Sequence, residues 1–189
     1  MDVNMPEMSG PDALDAILPH VAADVRAAGA PARLELMLLT YRAAARAFAH
    51  DFAPAQVALD AAQALGDRRG PTDPALERPC LTVVQERGFL AMEQEDHKAA
   101  AAIFGTLIVQ MKRVYGPRHP TLVAHYMNRI TALSELGERD AALAALGEAR
   151  KLAADLPQAM PHHGRLDLSE GVIWQESGDC GRAIPAYRR

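Results

Sequence analysis

The sequence predicts an all-α chain built as an array of about four helical hairpins behind an N-terminal helix. Three observations carry this. First, one five-position spacing occurs four times: Ala43, Arg46, His50, Ala55, Leu59; Gly88, Ala91, Glu95, Ala100, Phe104; Ile130, Leu133, Gly137, Ala142, Leu146; and Gly171, Trp174, Gly178, Ala183, Tyr187. The alanines after the turns, at 55, 100, 142 and 183, stand 45, 42 and 41 residues apart, a period that implies stacked supersecondary units. Second, 49% of residues are hydrophobic but only 5% aromatic. Alanine is abundant, which favours helices that approach closely, while strand-favouring residues are sparse. Third, the helical stretches are separated by short clusters of Gly, Pro and charge.

Each element follows from local signals. Ser9, Gly10 and Pro11 read as a helix start, with Pro in the first turn where its missing N–H is harmless. An apolar stripe through Ala13, Leu14, Ile17, Val21 and Val25 continues to about Ala28, and Pro19 should kink or split it. Residues 1–30 thus form an N-terminal segment and 31–189 the repeat array. After a break at Gly29–Pro31, helices are expected over Ala32–Ala49 and Ala55–Leu65, with a turn at His50–Pro54. Gly66–Pro74 (GDRRGPTDP) reads as a loop. Helices follow from Pro79 to Gln94 and from His97 to Val114; Tyr115–Pro120 is a loop whose prolines stop one helix and start the next. Thr121–Leu136 and Asp140–Ala154 form the clearest hairpin, and after Leu156–His162 a last pair begins whose first helix reaches Ser177. No such hairpin can bury its apolar face alone, so neighbours stack into a solenoid. Small residues at Gly88, Gly171, Ala100, Ala142 and Ala183 let paired helices approach, and Phe104, Leu146 and Tyr187 fill the space towards the next hairpin. The array is expected to break off inside its fourth hairpin, leaving Ile184 and Tyr187 on an open edge suited to self-association.

The spacing resembles the tetratricopeptide repeat, in the longer variety of kinesin light chains and many bacterial signalling proteins. Gly116, Pro117, His119 and Pro120 match that variety's Gly-Pro-x-His-Pro loop, and Asn128 occupies its mid-helix Asn. The resemblance spans Ala32–Arg189; Arg46 departs from it, standing where an apolar residue is usual. It implies a right-handed α-α superhelix that binds a protein or peptide on its concave face, lined from the first helix of each pair by Tyr41, Gln85, Phe89, Met127, Asn128, Thr131, Arg165 and Gln175. Among these Asn128 stands out, because an amide both donates to and accepts from a peptide backbone. A second, short resemblance links MDVNMPEMSG to the phosphoacceptor loop of receiver domains, with Asp2 as the acceptor. The acidic pair and the later Thr/Ser and Lys of that family are missing, so it reads as a chance match or a remnant.

Other functions lack their residues. Net charge is −4 with both signs interspersed, unlike the basic stripe of a nucleic-acid binder. No run approaches the length of a membrane span, and the acidic N-terminus lacks a signal-peptide pattern, so a cytoplasmic protein is expected. Cys80 and Cys180 have no metal-ligand spacing and read as free buried thiols; the adjacent His162–His163 need not converge, and His119 belongs to the repeat loop. No cofactor, metal or catalytic motif is expected. Glu86, Glu93, Glu135 and Glu176 read as a solubilising face, or as a bias towards a basic partner. The function expected is a non-enzymatic binding scaffold; the alternative is a regulatory fragment of a larger bacterial signalling protein such as a Ser/Thr kinase or transcriptional regulator.

Overall fold

A computed structural model describes residues 32–156 and 162–189, together with Ala16 and His20, which are helical and exposed. The Asp2 motif, the expected kink at Pro19 and the break at 29–31 lie outside the described residues. Regular structure among the described residues is entirely helical: α1 (Ala32–Phe48), α2 (Phe52–Arg69), a 3-10 turn (Pro74–Leu76), α3 (Glu77–Glu93), α4 (His97–Tyr115), α5 (Leu122–Glu135), α6 (Arg139–Ala154), α7 (His163–Glu176) and α8 (Cys180–Tyr187). The chain divides into two compact units, Met1–Glu93 and Gln94–Arg189.

In the first unit α1 packs on α2, and α3 packs on both. Its core is small and aliphatic: Leu36, Ala43, Ala55, Ala58, Leu59, Ala62, Leu76, Val83 and Leu90 are all but sealed from water. In the second unit consecutive helices α4 to α8 pack as neighbours, and α5 also meets α7, the helix two along. Phe104, Leu107, Leu122, Ile130, Ala142, Leu146, Ala149, Leu166 and Ile173 form the interior there.

The five-position spacing maps onto structure consistently. Ala43, Gly88, Ile130 and Gly171 are buried, as are Ala55, Ala100, Ala142 and Ala183. The middle position, His50, Glu95, Gly137 and Gly178, has positive φ in all four copies, at 57°, 58°, 70° and 76°. At three of these turns the next residue's N–H reaches the carbonyl five back, from Asp51 to Arg46, Glu138 to Leu133 and Asp179 to Trp174, each at 2.9 Å. That bond closes a helix whose end residue is left-handed. An acidic residue then opens the next helix: Asp96 accepts the Ala99 N–H at 2.9 Å and Asp179 that of Arg182 at 3.1 Å. Arg46 is accommodated in the first copy because its guanidinium pairs with Asp51 at 2.8 Å.

Three expectations need correction. Gly66–Pro74 is not all loop: α2 begins at Phe52 and runs on to Arg69. Gly66 stays helical because it lies against α3, where an added Cβ would sit 2.7 Å from Cys80 Sγ. The loop proper starts at Gly70, and Asp73 restarts helical structure by accepting the Ala75 N–H at 3.0 Å. Tyr187, expected to reach beyond its hairpin, turns back onto it. Its ring lies over the bare backbone of Gly171, where an added Cβ would collide with the ring, and its hydroxyl donates to Gln175 Oε1 at 2.9 Å. Tyr187 and Ile184 remain 41% and 49% exposed. The two free thiols are not both buried as expected, since Cys180 is exposed and Cys80 only partly buried.

Candidate functional site

In the second unit, α5 and α7 border a cleft of about 240 Å³. It brings together four of the residues expected to line a groove: Met127, Asn128 and Thr131 from α5 and Arg165 from α7. The helical period explains the grouping. Asn128, Thr131 and Glu135 stand at i, i+3 and i+7 on one helix, and Arg165, Leu168 and Val172 repeat those offsets on the other, so each trio shares a face. Ile130, Ser134 and Ser169 complete the lining.

The cleft has an apolar floor and a polar rim. Met127 and Ile130 are 5% and 1% exposed, so Met127 acts as floor and not as a surface contact. Leu168 is 55% exposed and leaves apolar surface open to water beside it. Asn128 is half-buried, and Thr131 and Arg165 are exposed. Two of the three hydroxyls are already satisfied, Thr131 by the Met127 carbonyl at 3.1 Å and Ser169 by the Arg165 carbonyl at 2.9 Å. The Asn128 amide and the Arg165 guanidinium have no partner among the described residues. The cleft thus offers an amide that both donates and accepts, and a planar cation with several donors.

The remaining expected residues do not join it. Gln175 lies on α7 outside the cleft, its carbonyl oxygen engaged by the Tyr187 hydroxyl. Tyr41, Gln85 and Phe89 belong to the first unit, on α1 and α3, with Tyr41 62% and Phe89 37% exposed. Beside Gln85, Glu86 is pushed above the usual carboxylate range by burial, against a weak hydrogen bond from Gln85. Sequence reasoning missed Ile130, Ser134, Leu168, Ser169 and Val172; the i, i+3, i+7 offsets from Arg165 would have found Leu168 and Val172.

The flank of the cleft-bearing helix is held by charge. Arg150 of α6 pairs with Asp167 at 2.5 Å and Glu170 at 2.6 Å on α7, and Arg189 also contacts both. Burial alone would raise the Glu170 carboxyl, but the Arg150 and Arg189 guanidiniums outweigh it and hold it below its usual value. On α7 too, the Trp174 ring lies 4.5 Å from the Arg182 guanidinium. These contacts fix α7 from the side away from the cleft.

A second hollow, of about 310 Å³, lies among Lys112, Arg118, Tyr126, Glu148, Lys151 and Asp155. Its cations are already engaged. Lys112 Nζ donates to the Tyr126 hydroxyl at 2.9 Å, Arg118 pairs with Asp155 at 2.8 Å, and Lys151 with Glu148 at 2.9 Å. Though larger, it offers less unspent chemistry than the α5–α7 cleft.

Among the described residues no group of three or more His, Cys, Asp or Glu side chains could hold a metal ion, and no helix is long and apolar enough to cross a membrane. Comparison with protein-family models found no match, and neither did a search of curated proteins.

Proposed function

We propose that this chain is a tetratricopeptide-like α-solenoid that works as a non-enzymatic scaffold in the cytoplasm, and that it binds a segment of peptide or protein in the α5–α7 cleft. The observation that carries this reading is the convergence of Met127, Asn128, Thr131 and Arg165 on one cleft. The pairwise helix packing, the contact between α5 and α7, and the recurrent left-handed turn all fit such an array. The cleft is too small for a helix but suits one or two side chains of an extended segment, whose backbone the Asn128 amide can grip from both sides. The Arg165 guanidinium adds a charged contact at the rim.

A displayed library of random dodecapeptides, panned on the immobilised chain, tests this. Enriched peptides should bind the Asn128→Ala variant about tenfold more weakly, the loss expected for one or two hydrogen bonds, while its circular dichroism and melting curve stay unchanged. No enrichment above background, or equal binding to parent and Asn128→Ala, would sink the proposal.

A further inference from the structure

We infer that Ser134 decides which ligand side chain the cleft accepts, and that it selects one ending in an uncharged hydrogen-bonding group, a hydroxyl or a carboxamide. This rests on the reading of the cleft as a peptide site and goes further, because it names the group that enters the floor.

Several hydroxyls elsewhere along these helices spend themselves on the carbonyl one turn back. Thr40 donates to Leu36, Thr106 to Ala102 and Ser177 to Ile173 at 2.8, 3.1 and 2.7 Å. Thr131 and Ser169, the other two hydroxyls of the cleft, do the same. Ser134 does not: its Oγ is sealed from water and has no hydrogen-bond partner among the described residues. A buried hydroxyl left unpaired is costly, so such groups are rarely without a reason.

The residue is 8% exposed and lines the cleft. To meet a ligand there, Oγ has to turn about χ1 from one staggered well to another, towards the cleft. There it meets a floor otherwise made of Met127 and Ile130, with Val172 beside them. A charged tip would lose its water in that setting with no opposite charge at the floor to replace it; the charged groups of the cleft, Arg165 and Glu135, are exposed. An aliphatic tip would leave the hydroxyl as unpaired as before. A hydroxyl or carboxamide tip satisfies both partners, and a site built this way rejects the isostere that lacks the group.

The test is an isosteric swap on both sides of the contact. Peptides from the library are sequenced after selection on the parent and, in parallel, on Ser134→Ala, a substitution that favours the helix. One selected peptide is then made in a Thr and a Val form. The parent should prefer Thr about tenfold, and Ser134→Ala should lose that preference or reverse it. Equal binding of the two forms by the parent overturns the inference, and so does a Thr preference that persists unchanged in Ser134→Ala; in either case peptides that still depend on Asn128 leave the scaffold reading standing. Failure to select any Asn128-dependent peptide takes both down.

Discussion

At the scale of single residues, the left-handed turn position matters most. Gly137 and Gly178 adopt positive φ without a side-chain penalty, whereas His50 and Glu95 do so against the clash of Cβ with the following carbonyl. That clash costs roughly 1–2 kcal/mol, and glycine's extra chain entropy returns about 0.5–1 of it. Glu95→Gly should therefore stabilise the chain by about 0.5–1 kcal/mol, read from a urea melt. Unchanged or lower stability would mean the turn is not strained. His125 of α5 carries a cost of a different kind. It is buried, its Nδ1 has no partner among the described residues, and burial holds its imidazole below the ordinary value of 6.5. The unfolded chain then takes up the proton first as pH falls. The stability this group contributes is fully present above 6.5 and is lost as pH drops towards the lower folded value. Urea midpoints between pH 7.5 and 5.5 should fall with a slope that His125→Gln flattens; a variant that keeps the parent's slope would refute the assignment.

At the scale of elements, each hairpin turn is a left-handed residue followed by an acidic one: His50–Asp51, Glu95–Asp96, Gly137–Glu138 and Gly178–Asp179. The second residue caps the next helix only where its side chain is short and free. Asp96 and Asp179 accept a backbone N–H three residues on. Asp51 is taken by Arg46 instead, and Glu138, one methylene longer, makes no cap hydrogen bond. Glu138→Asp should let α6 gain the missing cap and stabilise by about 0.5–1 kcal/mol. A thermal melt no higher than the parent's would show that the cap does not form. This pattern stood in the sequence, because the left-handed residue and its acidic neighbour recur at the repeat period.

At the scale of the whole molecule, the second unit has an interior of its own, from Phe104 and Leu107 on α4 to Ile173 on α7. Its helices are tied in order by packing, and α6 to α7 also by the Arg150 ion pairs. Residues 94–189 expressed alone should therefore be helical by circular dichroism and unfold in one cooperative thermal transition; a broad melt without a transition would show that this interior is insufficient. The cleft lies wholly within that unit, so the same piece should retain peptide binding.

Helix extents and turns could be read from residue order because the forces that set them act over a few residues. A left-handed turn, an acidic cap, a proline or an apolar stripe each declares itself within about two helical turns. Of the groove residues, Met127, Asn128 and Thr131 shared a face for the same local reason. Their meeting with Arg165, 37 positions beyond Asn128 and with all of α6 between, depended on how α5 and α7 pack. Packing also carried α2 on through Gly66, since the bare backbone meets Cys80 there, and folded Tyr187 back over Gly171. It left Ser134 without a partner among the described residues as well. Contacts of this kind join residues far apart in the chain, and close packing admits them only when the facing surfaces fit.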